Sequence, residues 1–194
     1  MTPGDDALVR SFLKGDSDSF ETLFKRHEQG LFAFILGLGG RWFEAEDVAQ
    51  TTWQQVIRYL PDYKAKGRFR SWLFRIAHRT WLNHVGSAWE RRHTMIGAAG
   101  DEDFAALPID LATIRNEQTP RDSSIASEER LLLYEALDNL PNFLRRCALL
   151  RLSGEMTYAE IAEEMECSVA TAHRRVKEAE VRIWKLIGER DESK

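Results

Sequence analysis

The chain has 194 residues, which is enough for one ordinary domain or two small ones and excludes a large multidomain machine. Hydrophobic residues make up 43% of it and charged residues 30%, the balance of a globular protein rather than a disordered or fibrous one. The formal net charge of −4 would not attract a polyanion, so any nucleic-acid interpretation must rest on local charge.

The sequence carries no signal for membrane insertion or for a metal centre. No stretch approaches the roughly 18 uncharged apolar residues of a membrane span, and the N-terminus lacks the pattern of a secretion signal, so we expect a cytoplasmic protein. The two cysteines, Cys147 and Cys167, lie in neither a CxxC nor a HxxxH spacing, which favours reduced thiols over a zinc site. A Walker-type phosphate loop is also absent from the sequence, and we expect no cofactor.

Apolar residues recur at helical spacing almost throughout, and no alternating β-branched run is bounded by hairpin turns, which predicts an all-α fold. In the N-terminal part the predicted helices cover residues 8–13, 18–37, 44–60 and about 70–89. Asp18 and Glu21 form a capping-box-like start of the second helix. Ile57 is expected on the buried face of the third.

Residues 93–127 interrupt this pattern. They hold two basic and six acidic side chains, several glycines and prolines and no sustained apolar stripe, which is typical of a flexible linker. Helical periodicity returns at Glu128. We therefore predict two small helical domains, residues 1–92 and 128–194, joined by the acidic linker 93–127. Whether the linker also covers a basic face of the chain is left open.

Residues 157–177 read TYAEIAEEMECSVATAHRRVK, a short helix, a tight turn and a longer helix with basic residues near its start. This is the pattern of a helix-turn-helix, although an ordinary helical hairpin with a charged exterior would share it. The residues expected on the outer surface of the second helix, where base edges and phosphates would be reached, are Thr171, His173, Arg174, Arg175 and Lys177.

A second basic region alternates cations with aromatic rings. Residues 58–92 hold nine basic and two acidic side chains, whereas residues 1–57 hold five and nine. Rings beside guanidinium groups suit single-stranded nucleic acid, because bases stack on rings while cations follow the backbone. Arg75, Arg79 and Asn83 share one helix face, and Phe69 with the loop before it is expected to contact unpaired bases. Rings such as Trp72 could instead pack in the hydrophobic core and make no contact with bases.

The third predicted helix carries a polar stripe formed by Asp47, Gln50, Gln54 and Arg58. Because this stripe is poor in cations, it suits a protein partner better than DNA, unless it is merely a solvated face.

In this order and separation, the motifs resemble the extracytoplasmic-function (ECF) group of bacterial sigma-70 factors. The resemblance rests on EAEDVAQTTWQQVIRYLPDY, GRFRSWLFRIAHRTWLNHV and TYAEIAEEMECSVATAHRRVKEAEVRIWKLI, and covers nearly all of the chain outside the linker. It implies a region 2 domain and a region 4 domain. It further implies a non-enzymatic factor that binds core RNA polymerase, directs it to promoter DNA and is controlled by an anti-sigma factor.

The resemblance also implies three sites. The site that docks on the β′ clamp helices of the polymerase would comprise Asp47, Gln50, Thr51 and Gln54. Region 4 would contact the β flap of the polymerase. The promoter −10 element would be read and melted by Arg68, Phe69, Arg70, Trp72, Arg75, Arg79 and Asn83. The −35 element would be contacted by Thr157, Ser168, Thr171, His173, Arg174, Arg175 and Lys177.

Several residues depart from the family pattern. Arg79 stands where Asn is common, Ala170 where Gly is common, and Glu178 where Arg is frequent, which predicts an atypical DNA preference. Glu166 occupies a turn in which Gly, Asp or Asn would tolerate a positive φ more easily.

Two other functions fit parts of the sequence. A stand-alone helix-turn-helix regulator explains residues 157–177 but leaves residues 67–92 without a role. An enzyme is disfavoured, because the five histidines are scattered and no HExxH, nucleophile elbow or recognisable carboxylate pair is present.

Overall fold

The computed structural model describes residues 3–93, 108–111 and 124–191, and within them the regular structure is helical, which confirms the predicted all-α class. The N-terminal bundle consists of α1 (Asp5–Phe12), α2 (Ser17–Gly37), α3 (Trp42–Tyr59), a 3-10 turn (Leu60–Asp62) and α4 (Phe69–His93). The C-terminal bundle consists of α5 (Ser124–Asp138), α6 (Asn142–Leu152), α7 (Tyr158–Glu164) and α8 (Val169–Asp191).

The start of α2 differs from the prediction. Its N-cap is Asp16, whose carboxylate accepts hydrogen bonds from the Asp18 backbone N–H (3.2 Å) and the Ser19 hydroxyl (2.6 Å). The expectation that Asp18 and Glu21 form the cap is therefore wrong, and Glu21 instead pairs with Lys25 one turn later. An aspartate placed just before the first turn satisfies helix N–H groups that lack an intrahelical partner.

Most of the predicted linker, residues 94–107 and 112–123, lies outside the described residues. Helix α5 begins at Ser124, four residues before the predicted return of helical periodicity. Between these two stretches, residues 108–111 are attached to the C-terminal bundle: the Ile109 N–H donates to the Asp138 carboxylate at 2.8 Å, and the Ile109 side chain is buried.

A buried arginine holds the C-terminal bundle together. Arg145 is 1% exposed, and its guanidinium donates to the carbonyl oxygens of Leu137 and Asp138, both at 3.0 Å, at the end of α5. It also pairs with the Asp138 carboxylate at 3.2 Å. The side chain thus satisfies carbonyl groups that the helix leaves unpaired.

The two bundles pack directly on each other. The Tyr134 hydroxyl of α5 donates to the Ala33 carbonyl of α2 at 2.9 Å. Leu149 of α6 approaches Gly37 so closely that a Cβ on residue 37 would lie 2.9 Å from the Leu149 Cδ2 atom, and the leucine side chain would have to shift. This contact brings α7 over the N-terminal half of α4.

Candidate nucleic-acid and protein interfaces

The outer face of α3 is open. The predicted polymerase-site residues Asp47, Gln50, Thr51 and Gln54 are all exposed, while Val48, Trp53 and Val56 are buried. Phe43 and Ile57, which the helical repeat places on the same outer face, are 56% and 47% exposed. The expectation that Ile57 packs inward is wrong, because it lies about 100° around the helix from the fully buried Val56. Two exposed apolar residues flanking a polar stripe favour a protein partner.

A cleft of about 340 Å³ lies beside the start of α4. It is lined by Asp62, Tyr63, Lys64, Lys66, Arg68, Ser71, Trp72, Arg75 and Glu160. Tyr63 and Trp72 place their ring centroids 4.8 Å apart. Asp6 fixes the loop, since its carboxylate accepts from the Tyr63 hydroxyl at 2.9 Å and the Gly67 N–H at 2.6 Å. Burial and this hydrogen bond raise the pKa of Tyr63, so the phenol stays protonated.

Phe69 was expected to lie on the surface, but it is buried. Its side chain is 1% exposed, with ring centroids 5.7 Å from both Tyr63 and Trp72 and 5.4 Å from His27. Phe69 begins α4 one turn before Leu73, so both project onto the buried face. Among the aromatic residues of this region, the half-buried Trp72 and Tyr63 line the cleft instead.

The predicted −10 arginines are brought together, but each faces a glutamate of the C-terminal bundle. Arg68 pairs with Glu160, Arg70 with Glu155 (3.3 Å), Arg75 with Glu163 (3.2 Å) and Arg79 with Glu164 (2.9 Å). Arg70 also donates to the Ser153 carbonyl at 2.7 Å. Asn83, one turn beyond Arg79, is exposed. The cationic face of α4 is therefore formed as predicted and its arginines are paired with acidic groups, although the Arg68 and Arg79 side chains remain 41% and 59% exposed.

At the centre of this contact lies a buried polar cluster. His78 is fully buried, and the Glu164 side chain is 2% exposed. Arg146 donates to His78 Nε2 at 2.9 Å, so the imidazole proton is on Nδ1, which donates to Glu164 at 2.8 Å. Burial lowers the pKa of His78 and keeps it neutral. Burial alone would raise the pKa of Glu164, but hydrogen bonds from His78 and Arg79 outweigh it and lower this pKa.

The helix-turn-helix is built as predicted, and two of its candidate DNA residues are helix caps. Thr157 caps α7 in a reciprocal capping box with Glu160, whose carboxylate accepts from the Thr157 N–H at 2.8 Å. Ser168 accepts from the Thr171 N–H at 3.1 Å at the start of α8. Glu166, in the turn, has a φ of 49°, which confirms that this position requires the left-handed region.

The start of α8 presents an open surface. Val169, Ala170, His173, Arg174 and Lys177 are exposed, and Thr171 is half-buried. Lys177 pairs with Glu180 (2.6 Å) and Glu178 with Arg182 (2.6 Å), both along the helix. Arg175 was expected to point outward, but its guanidinium lies 5.2 Å above the ring of Phe143 in α6. His173 contacts the ring of Tyr158 with centroids 4.6 Å apart.

An apolar surface near the end of α8 was missed by sequence reasoning. Val181 and Trp184 are 67% and 72% exposed. A groove between α5 and α8 is lined by Leu132, Ala136, Leu186 and Ile187 together with the polar residues Glu135 and Asn139. The signal was available, because Val181 and Trp184 are three residues apart, off the buried stripe that contains Ala179 and Ile183.

The described helices include none long and apolar enough to cross a membrane. In the same parts of the chain, no three His, Cys, Asp or Glu side chains are grouped as metal ligands would be. Cys147 is buried and Cys167 half-buried, both as free thiols, and burial raises the pKa of Cys147 to about 11.

Two family models match the chain: Sigma-70 region 2 over residues 23–91 and Sigma-70, region 4 over residues 130–183. The ECF RNA polymerase sigma factor SigK of Mycobacterium ulcerans is 31% identical over 179 residues, which cover 90% of this chain and 88% of that protein. The RNA polymerase sigma-H factor of Pseudomonas aeruginosa is 27% identical, over 94% of this chain and 93% of its own.

Two solved structures share the fold. The sigma factor RpoE of Bartonella quintana, crystallised with the anti-sigma factor NepR, has a TM-score of 0.61 at 19% identity and covers 87% of this chain and 96% of its own. CnrH, in complex with the cytosolic domain of CnrY, has a TM-score of 0.60 at 20% identity over 95% and 97% of the two chains. With its two sigma regions in this order and relatives aligned over nearly their whole length, the chain belongs to the ECF group of sigma-70 factors, which direct RNA polymerase to promoters.

Proposed function

We propose that this sigma factor divides its work among three surfaces: the outer face of α3 docks on core polymerase, the cationic face of α4 reads and opens the −10 element, and the start of α8 reads the −35 element. The observation that carries this division is the open surface of α8, where Arg174 and Lys177 follow a capped helix start. Such a helix end enters a major groove with its first residues at the base edges.

The −10 assignment is supported by the combination of Arg75, Arg79 and the adjacent cleft. A flipped base would stack on the Tyr63 and Trp72 rings while the arginines neutralise phosphates. Unstacking one base costs a few kcal/mol, which these contacts offset. Arg79, in place of the common Asn, makes this contact mainly electrostatic and leaves Asn83 as the amide that can bond a base edge.

The polymerase supplies most of the affinity in this mechanism. A chain of net charge −4 with two modest basic surfaces gains little from counterion release alone. Held on one enzyme, the two surfaces bind promoter DNA jointly, because tethering raises their effective concentration. The chain acts in the cytoplasm as an adaptor, without a cofactor and without catalysing a reaction.

The same surfaces suit an inhibitory partner. Val181 and Trp184 on α8, and Phe43 and Ile57 on α3, are exposed apolar residues of the kind that mark protein contacts. We assign the α3 face to the β′ clamp helices and the α5–α8 groove to the β flap. An anti-sigma factor that covered both would block assembly.

Reconstituted transcription with core polymerase and a promoter library tests the proposal. The wild-type chain should select a two-element promoter, and Asp47→Ala with Gln50→Ala should weaken core binding. Glu21→Ala, on the exposed face of α2, is the control and should leave core binding unchanged. Normal core binding by the double variant would refute the docking assignment. Tight, sequence-selective binding to duplex DNA without any stimulation of polymerase would favour the stand-alone regulator.

A further inference from the structure

A single carboxylate holds both ends of the loop that precedes α4. Asp6, in the first turn of α1, accepts from the Tyr63 hydroxyl at 2.9 Å with one oxygen and from the Gly67 N–H at 2.6 Å with the other. These two donors lie 57 and 61 residues further along the chain. Residues 64–66 between them are exposed, so no buried side chain fixes their path. We name residues 63–67 the clamped loop.

The second end of the clamped loop depends on the backbone conformation of Gly67. Its φ of 69° lies in the left-handed region, which glycine adopts at little cost. A Cβ at this position would have no described atom within 4 Å, so glycine is needed here for its conformation and not for space. Two residues later, Phe69 begins α4 on its buried face. The hydrogen bond to Asp6 therefore fixes the chain at the turn that leads into α4.

The clamped loop forms one wall of the cleft beside α4. Tyr63, Lys64 and Lys66 line this cleft together with Trp72. The Tyr63 ring centroid lies 4.8 Å from that of Trp72, and the Tyr63 hydroxyl is the group that Asp6 holds. The described residues that line the cleft do not include Asp6, so Asp6 would act on a bound base only through the loop. Holding a binding group in one geometry before its ligand arrives reduces the cost of ordering it on binding.

We propose that Asp6 is a positioning residue for −10 recognition: it holds the clamped loop so that the cleft accepts one base of the −10 element in preference to the others. The proposal rests on the proposed function, since it takes the cleft as the site of the flipped base. It makes α1 part of promoter selection without a contact between α1 and that base. A carboxylate suits this task, because hydrogen bonds to an ionised acceptor are shorter and stronger than those between neutral groups.

The neighbouring Asp5 provides a matched control. It also bridges two donors, Arg26 and His27 (2.8 Å), but both of these lie on α2. In Asp5→Asn and Asp6→Asn alike, the amide keeps one acceptor oxygen and turns an NH₂ donor toward the second partner. The two variants therefore make the same change in charge and in hydrogen bonding, and they differ in which part of the bundle loses its anchor.

The assay is a competition in one tube between two promoter templates that give transcripts of different length, with core polymerase and the full-length chain. One template carries the promoter that the wild-type chain selects from the library. Its competitor carries a single base substitution, in the −10 element in one experiment and in the −35 element in the other. Both templates compete for the same holoenzyme, so the ratio of the two transcripts does not depend on how much folded factor is present. A merely structural role of Asp6 would leave both ratios unchanged.

Asp6→Asn should lower discrimination at the −10 element roughly tenfold, the size expected from one hydrogen bond to a charged group, and should leave −35 discrimination unchanged. Asp5→Asn should leave both ratios as in the wild type. Both variants should fold, because α1 remains packed through its buried residues Leu8 and Val9. Unchanged −10 discrimination in Asp6→Asn, or an equal fall in Asp5→Asn, would overturn the positioning role.

Trp72→Ala, in the same assay, separates failure of this role from failure of the proposed function. If Trp72→Ala lowers −10 discrimination and Asp6→Asn does not, the cleft reads the −10 element and the positioning role is wrong. If neither variant changes −10 discrimination, the cleft does not read the −10 element, and the positioning role, which rests on that assignment, is overturned.

Discussion

The two surfaces of this sigma factor that we propose bind DNA differ in how their cations are paired. On and just before α4, four arginines are each paired with a glutamate of the other bundle. On α8, Arg174 and Lys177 project from an exposed helix start, and Lys177 pairs with Glu180 of the same helix. Both surfaces are basic in sequence, but the ion pairs on α4 join the two bundles, whereas the ion pair of Lys177 on α8 lies within one helix. Local charge therefore marks the surfaces proposed to bind DNA, while tertiary contacts determine which of their cations pair with the other bundle.

The largest expected effect is at the buried centre of the covered surface. Glu164→Ala leaves the buried His78 N–H without its acceptor, and an unsatisfied buried donor should lower the free energy of unfolding by about 2–3 kcal/mol. Glu163→Ala is the matched control, because its side chain is 65% exposed and should contribute no more than about 0.5 kcal/mol. Urea unfolding followed by circular dichroism measures both. Equal losses of unfolding free energy in the two variants would show that the buried Glu164 contributes no more to stability than the exposed Glu163.

The open surface can be tested by separating two neighbouring arginines. Arg174→Glu should reduce −35-dependent initiation roughly thirtyfold, equivalent to about 2 kcal/mol, without changing stability. Arg175→Glu should instead destabilise the C-terminal bundle, because its guanidinium packs on Phe143. Promoter-dependent transcription and thermal unfolding of both variants distinguish the two roles. If Arg174→Glu initiates normally, α8 does not read the −35 element.

The closed contact should weaken in mild acid. Burial lowers the pKa of His78 below its ordinary 6.5, so its contribution to closure is complete above pH 6.5 and is lost as the pH falls below that value. The charged groups facing the His78 ring are Glu164, Arg79 and Arg146. Protonation of Nε2 would place two N–H donors against each other, because Arg146 donates its hydrogen bond to that nitrogen. The pKa of Glu164 is lowered from 4.5, so its own contribution is lost only in stronger acid.

Small-angle X-ray scattering should therefore show that the radius of gyration of the wild-type chain increases between pH 7 and pH 5. The His78→Gln variant should show no change in radius over this range. If the radius of gyration changes with pH identically in the two proteins, titratable groups other than His78 cause the expansion.

The smallest expected effect concerns a cap at the edge of the contact. Thr157→Ala removes one half of the α7 capping box and should cost about 1 kcal/mol in thermal unfolding, whereas Thr157→Ser should cost little. If the alanine variant loses DNA binding without losing stability, Thr157 contacts DNA instead of serving mainly as a cap.

Local sequence patterns predicted the all-α class, the helix-turn-helix and the polar stripe on α3, because each depends on spacing within a single helix. They failed where the buried face had to be assigned to the exact residue. Ile57 and Arg175 lie on a different side of their helices from the one expected, and Phe69, expected to contact unpaired bases, begins α4 on its buried face. The cap of α2 was missed because Asp16 and Asp18 are equally good candidates by residue type.

The pairing of α4 with α7 could not be predicted from local pattern. Arg79 and Glu164 are 85 residues apart, on either side of the linker, and nothing in the spacing of one refers to the other. The linker's acidity suggested that it could cover a basic face. In the described residues, the glutamates on and just before α7 pair with the basic side chains of α4.

The most direct test of this account compares the same chain free and bound to core polymerase. Dyes on engineered cysteines at the exposed positions Leu13 in the N-terminal bundle and Gly188 in α8, with Cys147 and Cys167 replaced by alanine, report the distance between the bundles by energy transfer. The account predicts high transfer in the free chain and a marked fall on binding polymerase. Unchanged transfer in a transcriptionally active complex would contradict it.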